Sequence, residues 1–96
     1  MIKKIQFKHN TMNINILYFA RIKESVNYSS ENIDLPEDVA TVTALKNYLA
    51  LRGENWANLF NGTQVIRAAI NHALVDDMAT IHAGDEVAFF PPVTGG

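Results

Sequence analysis

The chain has 96 residues, 48% of them hydrophobic and 19% charged, the make-up of one folded domain and too apolar for a disordered segment. It contains no cysteine, which excludes disulfide staples, thiolate metal ligation and thiol catalysis by its own side chains. A formal charge of −2 argues against sequence-independent binding to nucleic acid.

Met1–Thr11 is a polar, basic lead-in carrying Lys3, Lys4 and Lys8. Asn10, Asn13 and Asn15 interrupt any signal-peptide core, and no run approaches the roughly 20 apolar residues that cross a bilayer. The expected setting is the cytoplasm, with no membrane partner. Residues 1–11 are read as an extension, either frayed or an accessory strand, 12–90 as the domain and 91–96 as a tail.

From Ile14 to Ala20 the chain alternates, with Ile14, Ile16 and Tyr18 on one side of a strand and Asn15, Leu17 and Phe19 on the other. The first set is the core face; the second, half apolar, is not expected to be fully solvated. Ile22 and Val26, four apart, predict a turn of helix. Ser29–Leu35 is a short strand ending at Pro36. Thr41 caps a helix carrying Val42, Leu45 and Leu49 at helical spacing until Gly53. Asn55–Phe60 adds a turn that lays Trp56, Leu59 and Phe60 on the core. Val65–Ile70 is a β-branched strand, and Asn71-His72 turns tightly into Ala73–Val75. After an irregular stretch, Gly84-Asp85 turns into a last strand, Glu86–Phe90. The layout is α+β, a mixed sheet with one main helix packed across it.

No P-loop, dinucleotide fingerprint or nucleophile elbow is present. His9, His72 and His82 share no ligand spacing, and no metal site is expected. Asp76-Asp77 and Asp85-Glu86 flank turns and read as solvated carboxylates.

The distinctive segment is the end, Phe89-Phe90-Pro91-Pro92-Val93-Thr94-Gly95-Gly96. Pro91 removes an amide donor, and both prolines force extended backbone before them. A stiff arm of six residues at ~3.3 Å each reaches roughly 20 Å. Val93 and Thr94 limit coiling, and Gly95 and Gly96 strip the tip of side chains. Such a tip fits a channel too narrow for any Cβ and delivers one reactive group, the terminal carboxylate. A frayed tail that happens to end in two glycines is the plain alternative.

The stretch from Gly84 to Gly96 resembles the C-terminus of the small subunits of molybdopterin synthases, which are ubiquitin-like β-grasp proteins. The resemblance extends to Ile14–Glu24, to the Thr41–Leu51 helix, and to Ala69-Ile70-Asn71 with Leu74-Val75; residues 1–11 are extra to the pattern. It implies a sulfur carrier. An adenylating enzyme of the ubiquitin-activating type spends ATP on the Gly96 carboxylate, and a sulfur-donor protein then converts it to a thiocarboxylate. The large synthase subunit receives the loaded tail, including Pro91, Pro92, Val93, Thr94 and Gly95, in a heterotetramer. There, two transfers to cyclic pyranopterin monophosphate build the molybdopterin dithiolene. Catalytic acids and bases would come from the large subunit, and no cofactor binds this chain.

Phe19, Leu74 and Phe90 match family positions that form an exposed apolar patch against both partners, and Lys23 matches a basic position near it. Alternation independently places Phe19 and Phe90 opposite the core. Leu74 also reads as core, and Lys23 as a solvated lysine. Competing functions are a carrier for thiazole synthesis or tRNA thiolation, a ubiquitin-like modifier whose Gly96 joins lysines, and an interaction domain with an inert tail. Thiazole carriers usually lack the Pro-Pro segment.

Overall fold

The computed structural model describes residues 10–92. In chain order the elements are β1 (Thr11–Tyr18), α1 (Ala20–Val26), β2 (Ser30–Pro36), α2 (Val42–Ala50), α3 (Glu54–Phe60), β3 (Arg67–Ile70), β4 (Ala73–Val75) and β5 (Glu86–Phe90). The strands form one sheet in the order β2-β1-β5-β3-β4, with β1 and β5 parallel and every other pair antiparallel. This is the β-grasp arrangement that the resemblance implies. The expected main helix is α2, accompanied by two seven-residue helices, α1 and α3. No helix among the described residues is long and apolar enough to cross a membrane.

Alternation decides which face of the sheet is covered. Ile14, Ile16 and Tyr18 of β1 are buried together with Val87 and Phe89 of β5 and Ala68 of β3. Against them pack Ile22 of α1, Leu45 and Leu49 of α2 and Leu59 of α3, in one continuous core. Phe60 meets Phe89 edge-on at 5.2 Å between ring centroids, and Trp56 meets Tyr18 at 5.8 Å, a geometry favoured by the ring quadrupoles. Among the described residues all three helices therefore feed one face, and the other face of the sheet carries none.

Local chemistry sets the boundaries. The Thr41 hydroxyl accepts the Ala44 amide at 3.1 Å and caps α2 as its sequence predicts, satisfying an otherwise orphaned donor. Gly84 has φ +87°, a left-handed conformation that glycine adopts without a Cβ clash. The irregular stretch after β4 is pinned to the start of α2: Val42 N donates to Ala79 O, Thr43 N to Asp77 O, and Ile81 N to Ala40 O.

Two polar clusters were not foreseen. The Tyr18 hydroxyl donates to Glu31 at 2.6 Å, and Arg52 donates to the same carboxylate at 2.7 Å while stacking over Trp56. This ties β1, β2 and the α2–α3 junction together. The second cluster corrects the reading of Asp85 as solvated. Asp85 is buried and accepts from the Asn71 side chain at 2.9 Å and the His82 amide at 2.8 Å. Asn71 in turn accepts the Glu86 amide at 2.9 Å. Burial of a turn carboxylate is tolerable here because its oxygens are met by donors. The cluster locks the start of β5 to the β3–β4 hairpin, whose two turn residues, Asn71 (φ +50°) and His72 (φ +73°), both have positive φ.

Two stability predictions follow from these clusters. Burial, then the bond to Glu31, pushes the Tyr18 phenol above the usual tyrosine range. Its folded value therefore exceeds the unfolded one of about 10, so its contribution is present below about pH 10 and lost as pH rises further. Tyr18→Phe should cost about 2 kcal/mol at neutral pH and flatten the alkaline loss of stability seen by urea titration; an unchanged alkaline slope would contradict this. Asn71→Ala should cost about 2 kcal/mol and lower Tm, because it removes the bonds to Asp85 and the Glu86 amide and leaves a β-carbon at positive φ. Asn71→Gly should be about 1 kcal/mol milder, because glycine keeps the positive φ without strain. Equal Tm losses in the two variants would remove backbone strain from the account.

Candidate functional site: the open sheet face and the root of the tail

The face without helices is graded along its strands. Asn15 pairs with Glu86, then Leu17 with Ala88, and beyond them lie Phe19 and Phe90. Polar residues thus give way to small apolar ones and then to aromatics as the strands run toward the end of the chain. Across the strands, Leu17, Ala88, Ala69 and Leu74 occupy neighbouring register positions on β1, β5, β3 and β4. On the β1–β2 side the same face is closed by amides: Asn13 and Asn32 donate to each other at 2.8 Å, Asn13 to Asp34 at 2.8 Å and Asn32 to Asn15 at 2.8 Å. The ladder uses both amide hydrogens of Asn13 and of Asn32 and bounds the apolar zone on one side.

Phe19 follows β1 in extended backbone at the start of α1, and its amide donates to Phe89 O at 3.1 Å. Its ring is 47% exposed, despite being next to the buried Tyr18, because neighbouring residues on a strand point to opposite faces. Phe90 pairs with Arg67 and is half-buried, less exposed than the patch reading implies. Leu74 is 60% exposed and opposite Ala69. That register assigns it to the open face and removes the core alternative. Lys23 is exposed on α1, and its amide bonds Phe19 O at 3.4 Å. Four residues apart, Phe19 and Lys23 share one side of the first helical turn.

Pairing in β5 stops at Phe90, immediately before Pro91, and Pro91 and Pro92 are half-buried outside any strand. Val93, Thr94, Gly95 and Gly96, the tip to which the reactive carboxylate was assigned, lie outside the described residues. What the described part supplies is their mounting: the tail leaves a strand held on both edges, between β1 and β3. Among the described residues, no group of three His, Asp or Glu side chains is placed to hold a metal ion. His72 is an exposed turn residue 3.7 Å from Glu86, and His82 an exposed loop residue 3.9 Å from Asp85.

The asparagine ladder and the exposed cation Arg67 beside Phe90 are features of this surface that reading single strands missed. The ladder had a signal, asparagine at alternate positions 13 and 15 opposite Asn32 and Asp34. It becomes legible only once β1 and β2 are paired in register.

Similarities to known proteins agree with this layout. The molybdopterin synthase sulfur carrier subunit of Haemophilus influenzae is 39% identical over 83 residues, covering 86% of this chain and 99% of its own length. The crystal structure of SAMP1 from Haloferax volcanii superposes with a TM-score of 0.69 at 26% identity, covering 88% of this chain and 99% of that one. In the complex of subunits 1 and 2 of the molybdopterin-converting factor from Helicobacter pylori, one chain matches with a TM-score of 0.57 at 26% identity, over 88% of this chain and 100% of that one. The model of the ThiS family matches residues 16–96, from the middle of β1 to the final glycine, and the chain belongs to that family.

Proposed function

We propose that this chain is the sulfur carrier subunit of a molybdopterin synthase, working in the cytoplasm as a covalent cosubstrate whose reactive atom is carried at Gly96. The observation that carries the reading is the placement of β5. A central strand ends at Phe90, on the aromatic end of an open apolar face, and the next residues are Pro-Pro-Val-Thr-Gly-Gly. A relative 39% identical over nearly its whole length bears that name, and a similar chain is found bound to its second subunit.

The chemistry requires activation. A terminal carboxylate with a pKa of about 3.3–3.7 is ionised at neutral pH and resists nucleophiles. Its oxygen attacks the α-phosphorus of ATP on an adenylating enzyme of the ubiquitin-activating type, and pyrophosphate leaves. A persulfide on a donor protein then attacks the acyl carbon and displaces AMP, and a thiol cleaves the resulting acyl disulfide, leaving a thiocarboxylate on Gly96 and a disulfide on the donor. This chain has no thiol to supply that sulfur. In the large subunit the thiocarboxylate sulfur displaces an oxygen substituent from a side-chain carbon of the pterin precursor, the cyclic phosphate ester oxygen in one round and water in the other, and hydrolysis of the resulting thioester returns Gly96 to a carboxylate. Two rounds build the dithiolene from cyclic pyranopterin monophosphate. Gly95 and Gly96 admit the tail to a narrow channel, Pro91 and Pro92 hold it extended, and Phe19, Leu74 and Phe90, with Lys23 beside them, give both partners one docking face.

Incubation with ATP, the adenylating enzyme and a sulfur donor, followed by intact mass, tests the proposal. One oxygen is expected to be exchanged for sulfur at Gly96, and adding the large subunit with the pterin precursor should consume the sulfur and yield dithiolene. Deleting Gly96, or adding one residue after it, should abolish the exchange without shifting Tm. An unmodified mass in the wild-type chain would overturn the carrier reading, and sulfur loading without dithiolene formation would assign the carrier to another pathway.

A further inference from the structure

At the end of the sheet from which the tail departs lies a cleft of about 780 Å³, between the segment leading into β3 and the end of β4. Val65, Arg67 and Leu74 form its rim, and Phe60 and Val75 line its wall. Lys46, its ammonium group almost covered, donates to the Ile66 carbonyl at 2.7 Å and to Asp77 at 2.9 Å. These bonds tie α2 to both walls, so the depression is braced.

Three features define what the cleft accepts. Two exposed apolar residues, Val65 at 58% and Leu74 at 60%, line it beside the polar Thr43, Asn47 and Gln64. Its basic side chain is unspent: Arg67 is exposed, and no carboxylate among the described residues lies within ion-pair distance of it. The two acids of the cleft are already engaged, Asp76 with the Met78 amide at 2.8 Å and Asp77 with Lys46. Finally, the cleft is continuous with the docking face. Leu74 belongs to both, and Arg67 is the ladder partner of Phe90, the last residue before Pro91. A protein that encloses the tail must cover the tail's root, and covering it dehydrates Arg67.

An arginine stripped of water and left unpaired in an interface is costly, whereas a facing carboxylate can accept two parallel N–H bonds from it. Resting on the sulfur-carrier reading, we infer that the large synthase subunit inserts into this cleft a segment with an acidic side chain that pairs with Arg67 and an apolar side chain that packs on Val65 and Leu74. The cleft adds a charge-selective edge to an otherwise apolar docking face. It fixes the carrier's orientation, so that the tail enters the partner's channel in one register.

Calorimetric titration of the full chain with its cognate large subunit, at low and high salt, tests this. Arg67→Glu is expected to weaken binding about tenfold or more at low salt, Arg67→Leu less, and Arg67→Lys least. Arg67→Leu should also lose most of the wild-type salt dependence. Val65→Glu, which places a carboxylate beside Arg67, should weaken binding in parallel. All of these positions are exposed, so Tm should not move. Wild-type affinity and salt dependence in Arg67→Glu would overturn the inference while leaving the carrier reading intact, because the complex still forms. Loss confined to the complex with the adenylating enzyme would also overturn it, by assigning the cleft to the wrong partner. A wild-type chain that fails to bind the large subunit would instead overturn the carrier reading itself.

Discussion

The parallel pairing of β1 with β5 is the constraint on which the rest depends. It sets Asn15–Tyr18 beside Glu86–Phe89 and slots the last strand between β1 and β3. An edge strand could fray and take its tail with it; a strand bonded on both sides cannot leave without breaking two ladders. Parallel pairing also aligns the C-terminal ends of the two strands, so Phe19, which follows β1, and Phe90, the last residue of β5, emerge at the same end of the sheet. The same pairing anchors Phe89 in the core, fully buried against Phe60 and Tyr18. One residue therefore secures the tail's root and its neighbour sets a ring on the open face.

This arrangement separates two demands on a small domain. Stability is met on the helix-covered face, where the apolar residues of β1, β3 and β5 meet all three helices. The other face needs no helix because its apolar row is short and its β1–β2 half is sealed by asparagine and aspartate side chains; in the proposed function it serves recognition. The polar locks sit at the margins, Tyr18–Glu31–Arg52 on one side and Asn71–Asp85 at the start of β5. Neither occupies the apolar row of the open face.

Much of this could be read from the residues, and the parts that could not share a cause. Alternation at Ile14, Ile16 and Tyr18 identified the buried side of β1, and Asn71-His72 marked a turn whose two positive φ angles the structure contains. Both signals are local. Leu74 was ambiguous because a strand of three residues has too little alternation to show a face; only its pairing with Ala69 decides the matter. Asp85 looked like a solvated turn acid because one of its donors lies 14 residues away, at Asn71. Arg67 gave no signal, since its importance comes from standing next to Phe90 across a ladder of long sequence separation. Long-range register is the quantity that a single sequence conceals.

The most direct test of the central claim, that the open face and the tail's root together form the docking surface, is amide hydrogen exchange of this chain alone and in complex with the large subunit. Slowed exchange is expected at Phe19, Leu74 and Arg67 and through the tail, with α2 and α3 unchanged away from the cleft residues Lys46 and Phe60. Protection centred on α2 and α3, with the open face exchanging as in the free chain, would contradict the account.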